Sequence, residues 1–310
     1  MTQVNMQQVK ELRDRTQAGL NDCRAAMVEA GGDMEKAVEI ILKKGLAKSA
    51  KRAGAIAAEG LVIARVAADA KSGVLVEVNI QTDFAARNAD FVKFAETVAD
   101  VAMKAKSGAD LGAETYPGSS DTVEATRQAL VGKLGENITV RRWERVSLDG
   151  AGAVKSYVHM GGKIGVLLAA RVASAASEAS PVLAKYLDDT AMQVAAMAPL
   201  YLSPSEVPAD AKKKQGEIYD AQLVEEGKPE AARPKIVEGK IAKWMKEVCL
   251  LEQQSVLDAD KSVDEQRKAL SKELGGDVTL SRFARFQCGE GIDKPVGDDF
   301  AAEVAKMAGG

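Results

Sequence analysis

Hydrophobic positions change their period along the chain, and each change marks an element. Between residues 6 and 45 the apolar side chains recur at three and four residues, the spacing of one helical face. Val9, Leu12 and Met6 form the first face, which Thr16-Gln17-Ala18-Gly19 ends. Leu20, Cys23, Ala26 and Met27 form the second, stopped at Gly31-Gly32, where glycine can close a helix in the left-handed conformation. Asp33 can cap a third face of Met34, Ala37, Val38, Ile41 and Leu42, ended by Gly45. From 74 to 80 the period falls to two, with Val74, Val76, Val78 and Ile80 on one side of a strand. Gln81, Thr82 and Asp83 break that run. Thr82 and Asp83 can cap a short turn and Asn88 the next helix, because their side-chain oxygens accept backbone N–H groups that a helix start leaves unpaired.

The strand-to-helix corner leaves Phe84 with two readings. It folds inward as core, the commoner fate of a phenylalanine beside an apolar strand, or it stands outward as an apolar wedge for a partner. Corners on rigid scaffolds are common sites of function.

An internal repeat organises the remainder. Residues 127–146 align without a gap onto 267–286, with eight identical positions: Arg127/Arg267, Ala129/Ala269, Leu130/Leu270, Leu134/Leu274, Gly135/Gly275, Thr139/Thr279, Arg142/Arg282 and Arg145/Arg285. Ile138/Val278, Val140/Leu280 and Trp143/Phe283 preserve the alternation of a strand after a helix-ending glycine. Upstream, Leu61–Val66 and Val74–Ile80 flank one turn, and Val154–His159 and Ile164–Val172 flank another, giving two hairpins. Each precedes a helix, one around 89–105 with Phe91, Phe94, Ala95, Val98 and Ala102 on one face, the other around 180–197 with Leu183, Tyr186, Leu187, Val194 and Met197. The expected fold is α+β, two copies of strand, strand, helix, helix, strand with antiparallel strands.

The copies differ in two places. The second has Ala173-Ser174-Ala175-Ala176 where the first has its Thr82-Asp83-Phe84 corner. It also contains an insertion at 208–248 that reads as an antiparallel helical hairpin turning at Gly227-Lys228-Pro229, with Pro234 in the first turn of the returning helix. Ile218, Leu223, Ile236, Ile241, Trp244 and Met245 can join its two helices. A short helix is expected at 298–307, where Asp299-Phe300-Ala301-Ala302 repeats the letters of Asp83-Phe84-Ala85-Ala86. The chain therefore divides into a three-helix docking domain (1–45), a helical basic linker (46–59), a first core half (60–148), a second core half (149–288) and a C-terminal module (289–310).

Composition narrows the function classes. At 310 residues the chain holds several units, and with only 4% aromatic residues its core is aliphatic. A net charge of −3 supplies no field for general nucleic-acid binding. The basic run Lys43, Lys44, Lys48, Lys51 and Arg52 has no interleaved aromatic on which a base could stack. Cys23, Cys249 and Cys288 lie far apart and outside metal-binding spacings, as for reduced thiols in a cytoplasmic protein. No segment reads as a secretory signal or a membrane span.

Catalytic chemistry finds little support. The single histidine, His159, has no nucleophile or second ligand beside it in sequence, and no metal or other cofactor is expected. Asp188-Asp189 and Asp298-Asp299 diverge on helices, and the glycine clusters fit neither a Walker loop nor a dinucleotide fingerprint.

The opening Val9–Cys23 resembles the N-terminal signature of the bacterial elongation factor Ts family, and Val76–Asn88 resembles its Thr-Asp-Phe signature. Gly135-Glu136-Asn137-Ile138, Lys163–Leu167 and Gly289-Glu290-Gly291-Ile292 extend the likeness over nearly the whole chain. Gln17 and Ala85 depart from the family pattern, which usually has glycine and valine there. The resemblance implies a ubiquitin-associated-like N-terminal bundle and guanine-nucleotide exchange on elongation factor Tu in translation elongation, with no catalytic chemistry of the chain's own. It implies that Thr82, Asp83, Phe84 and Ala85 disturb the partner's Mg²⁺ site. Phe84 would insert between helices of the partner, and Leu12, Arg13, Leu20 and His159 would make further contacts. The competing class is a non-catalytic adaptor that uses the bundle alone and in which Asp83 and Phe84 are dispensable.

Overall fold

The computed structural model describes residues 5–16 and 18–293. The expected C-terminal helix at 298–307 and the departure at Gln17 lie outside the described residues. Three helices open the chain, α1 (Met6–Thr16), α2 (Leu20–Glu29) and α3 (Met34–Arg52). Their core is Val9, Leu12, Cys23, Ala26, Met27, Ala37 and Ile41. Asp33 caps α3 by accepting the Lys36 N–H at 3.1 Å. Gly45 does not end this helix as the sequence suggested. It lies inside α3 where α3 meets α6 (Val123–Leu134), and a side chain added at Gly132 of α6 would stand 2.9 Å from the Gly45 Cα. Two glycines allow that approach, and the packing outweighs the cost of glycine within a helix, ~1 kcal/mol. The basic run therefore forms the end of α3, where Lys51 and Arg52 face the negative end of its dipole.

Two three-stranded antiparallel sheets follow. The first has β1 (Glu59–Val66), β2 (Ser72–Ile80) and β3 (Ile138–Ser147), and the second β4 (Gly152–His159), β5 (Ile164–Val172) and β6 (Val278–Gln287), each with its second strand central. Between β2 and β3 run α4 (Asp83–Ala86), α5 (Ala89–Lys104) and α6. Between β5 and β6 run α7 (Ala175–Glu178), α8 (Pro181–Met197), α9 (Ala209–Glu225), α10 (Arg233–Val248) and α11 (Val263–Glu273).

The repeat read from the letters is a repeat of structure. Each third strand has one bulged residue, Arg141 opposite the Glu77–Val78 step and Ser281 opposite Ala169–Ala170. Gly60, second in β1, and Gly152, first in β4, have φ +136° and +141°, and a side chain at either would run into the carbonyl of Val78 or Ala170. The halves also exchange bonds reciprocally. Val62 N–H donates to Gly162 O and Val154 N–H to Ala70 O, both at 2.7 Å. Lys71 Nζ donates to Gly152 O at 2.7 Å, and Lys163 Nζ reaches Gly60 O at 3.4 Å.

Alternation along β2 explains the layers. Val74, Val76, Val78 and Ile80 pack with Phe91, Phe94, Ala95, Val98 and Ala102 of α5, while Leu75 meets Val62, Val154, Leu167 and Phe286 between the sheets. The second half repeats this with Val166, Leu168 and Ala170 under Leu183, Leu187 and Val194 of α8. Met197, expected on that face, is exposed at the helix end, and Ala191 and Ala195 fill the contact instead. In the insertion, Leu223 and Ile241 are buried, Ile236, Trp244 and Met245 are half-buried, and Ile218 is exposed. Polar contacts supplement that thin seam, Arg233 with Asp220 at 3.6 Å, Lys240 with Glu226 at 4.0 Å and Lys240 over the Tyr219 ring at 5.5 Å.

Candidate functional site

The corner after β2 is built by polar caps and presents one apolar side chain. Thr82 caps α4, its hydroxyl accepting the Ala85 N–H at 3.2 Å, and Asn88 caps α5 by accepting the Asp90 N–H at 2.9 Å. The Glu136 carboxylate accepts two bonds from Thr82, the N–H at 3.0 Å and the hydroxyl at 2.7 Å. Next to it the Asn137 N–H donates to the Gln81 side chain at 2.7 Å, and the Asn137 amide donates to Ala55 O at 2.8 Å. Ala86 is buried and Ala85 packs on the first core, so the single turn is seated from below. Asp83 pairs with Arg87 at 3.5 Å across the turn. Phe84 stands clear of all of this, 82% exposed. The outward reading of Phe84 is the one this structure has.

The other copy is an internal control. Ser174 caps α7, accepting the Ser177 N–H at 3.2 Å, but Ala176 stands in the place of Phe84 and Gly276 in the place of Glu136. Neither the projection nor the clamp is repeated.

His159 ends β4 at an exposed turn, its Nδ1 3.0 Å from the Tyr157 hydroxyl and its ring stacked on that tyrosine. Val158 and Met160 beside it are exposed, Met160 with φ +50°. The turn lies toward the same end of the double sheet as the corner. Lys163 pairs with Glu59 at 2.7 Å, and Glu59 is the cross-strand partner of Ile80, the last residue of β2. In the N-terminal bundle Arg13 and Leu20 are exposed, as a docking role requires. Leu12 is not. It is fully buried with Val9, Cys23 and Met27, so the expectation of a direct contact is corrected to support of the bundle from within.

Two acidic residues that motif reading left without a role organise the site's foundation. Glu136 is one. The other is Glu77, fully buried where β5 has Ala169. Its carboxylate accepts from Arg141 Nη1 at 3.0 Å, the Gly289 N–H at 2.7 Å and the Asn79 amide at 3.1 Å, and also from Arg142 Nε. Burial pushes its pKa up, but the Gly289 N–H, Arg142 and Asn79 together hold it below the ordinary glutamate value. The same arginines hold the Gly289-Glu290-Gly291 turn, Arg141 through Glu290 O and Arg142 through Gln287 O. A lone acid in an apolar strand was the available signal for Glu77, and its acidic break in the repeat the signal for Glu136.

Among the described residues, no group of three or more histidine, cysteine, aspartate or glutamate side chains is placed to hold a metal ion, and no helix is long and apolar enough to cross a membrane. The corner presents a shaped, partly charged projection, with Phe84 exposed beside the Asp83–Arg87 pair.

Comparison with known proteins finds relatives along nearly the whole chain. The family model described as "Elongation factor TS" matches residues 81–290. The chain is 48% identical over 308 residues to the elongation factor Ts of Clostridium perfringens (strain SM101 / Type A), covering 99% of each chain. It is 46% identical, with the same coverage, to those of Clostridium botulinum (strain Alaska E43 / Type E3) and Clostridium kluyveri (strain NBRC 12016). With such identity from end to end, the chain belongs to the elongation factor Ts family of translation elongation factors.

Proposed function

We propose that the protein promotes GDP release from elongation factor Tu in the cytoplasm by inserting Phe84 between helices of the partner. One observation carries this reading: a phenylalanine left 82% exposed on a corner whose backbone is held by the Thr82 and Asn88 caps and the Glu136 clamp. Burying such a ring on a partner is worth about 1.5–3 kcal/mol, available only when a complementary cleft opens. Bound GDP depends on Mg²⁺ and on a phosphate loop held in one arrangement, so a side chain that favours another arrangement weakens nucleotide binding. Asp83 supplies polar contacts to the displaced helix, with Thr82 and Ala85 forming the rest of the segment. Linkage makes the effect reciprocal: nucleotide weakens the factor's grip by the same ratio, so GTP releases the complex.

Arg13 and Leu20 of the ubiquitin-associated-like bundle and His159 at the β4–β5 turn provide the remaining grip, and Leu12 supports the bundle surface. The antiparallel hairpin of α9 and α10 serves as a brace or partner arm. The test is release of a fluorescent GDP from elongation factor Tu with the wild-type protein and with Phe84→Ala. Acceleration that collapses in the variant supports both the exchange and the wedge. Acceleration that survives moves the mechanism to His159 or the bundle, and absence of any acceleration by wild type leaves the adaptor reading.

A further inference from the structure

We propose that Glu136 is the positioning residue of the Phe84 wedge, an inference that rests on the exchange reading above. The turn that bears Phe84 is only four residues long, too short to sustain itself as an isolated helix. Its geometry is therefore imposed from outside. One carboxylate receives both donors of Thr82, the N–H at 3.0 Å and the O–H at 2.7 Å, which fixes the backbone and the side-chain rotamer of that residue together. Because the hydroxyl proton is committed to Glu136, the hydroxyl oxygen is left to accept the Ala85 N–H at 3.2 Å. Glu136 thus orders Thr82, and Thr82 orders the turn.

Glu136 is itself anchored. The preceding Gly135 closes α6 in the left-handed conformation, with its N–H on Val131 O at 2.8 Å. The following Asn137 is buried and bonded on both sides, to Gln81 and to Ala55. The acid is thereby held by a rigid stretch that is remote in sequence and adjacent to the corner in space. The duplicated half shows that the fold does not demand it. There the equivalent position is Gly276, the equivalent cap Ser174 has the Ser177 hydroxyl at 3.0 Å in place of a carboxylate, and no aromatic projects. The clamp and the phenylalanine occur in the same copy.

The experiment measures fluorescent GDP release from elongation factor Tu over a range of factor concentrations. The full-length variants are Glu136→Ala, Glu136→Gln and Thr82→Val, and Glu136→Ala is also combined with Phe84→Ala. A wedge that is present but misplaced should lower the maximal exchange rate about tenfold for Glu136→Ala, short of the hundredfold that a displacement of about 1 Å can cost. The half-saturating concentration should stay within about twofold of wild type, since the docking surfaces are untouched. Glu136→Gln, which retains one acceptor, should fall between, and Thr82→Val should reproduce the loss from the other side of the bond. On a Phe84→Ala background, Glu136→Ala should cost nothing more. Faster amide hydrogen exchange confined to residues 82–86 in Glu136→Ala would accompany these changes. The proposal is overturned if Phe84→Ala collapses exchange while Glu136→Ala does not. A full additional loss on the Phe84→Ala background, or a loss entirely in half-saturation, also overturns it, because either marks Glu136 as a direct contact. If Phe84→Ala itself leaves exchange intact, the wedge reading fails first and this inference with it.

Discussion

Arg127 and Arg267 make the same bond in the two halves: Nη1 of each donates to the carbonyl of the first residue of the following strand, Ile138 at 2.6 Å and Val278 at 2.7 Å. Each is also held by an acid one turn earlier, Glu124 and Asp264. The pair ties the helix before the third strand to that strand's start. Charged hydrogen bonds of this kind contribute about 1.5–3 kcal/mol. Arg127→Ala and Arg267→Ala should each lower unfolding stability by about 2 kcal/mol in denaturant titrations, and lysine should restore little, because one ammonium lacks the fork that spans both partners. The two losses should add, since the sites share no partners.

That symmetry was legible because it rests on letters: eight identities, a glycine after each helix and a period-two strand after each glycine. The caps at Thr82 and Asn88 were legible for the same reason. What stayed hidden depends on a neighbour that periodicity does not reveal. Gly45 looked like a helix end because its reason for being small, Gly132, is far along the chain. Leu12 stood on the apolar face by its period and became a contact only through the family resemblance, and the packing of α2 against α1 sides with the period. Phe84 was ambiguous in the sequence because nothing local dictates whether a corner aromatic turns in or out.

The contact between α3 and α6 makes its own prediction. A side chain at Gly132 meets the Gly45 backbone, which cannot retreat without moving α3 and the bundle attached to it. Gly132→Val should cost about 1–3 kcal/mol, the range for overpacking a close contact. Limited proteolysis should then cut between α3 and β1 faster than in wild type while the double-sheet core stays resistant.

Glu77 predicts how stability responds to acid. Its folded pKa lies below the unfolded value, so its contribution is fully present above about pH 4.5 and is lost as pH falls through the folded value. Wild-type stability should therefore be level in this respect from neutral pH down to about 5 and decline below about 4.5. Glu77→Gln leaves Arg141 and Arg142 without their buried counter-charge and should cost about 3–5 kcal/mol at pH 7. The difference between variant and wild type should shrink as pH drops, which chemical unfolding at pH 7, 5 and 3.5 would measure. A difference that stays constant with pH would mean that Glu77 is not ionised in the folded protein.

Two phenylalanines seven residues apart separate stability from function. Phe91 is fully buried between α5 and β2, so Phe91→Ala removes core contacts and leaves a cavity, at about 3–5 kcal/mol. Phe84 is 82% exposed, so its ring contributes little to the folded state, and Phe84→Ala should shift unfolding stability by no more than about 0.5 kcal/mol. A neutral effect on folding makes any loss of exchange in Phe84→Ala a statement about the interface. Phe84→Leu should then keep part of the activity, because an apolar side chain of smaller size still fills some of the partner's cleft. Phe84→Asp should keep none, because an ionised carboxylate cannot be buried there without a counter-charge. Equal activity of the leucine and aspartate variants, with both fully folded by thermal melting, would show that apolar insertion is not what Phe84 does.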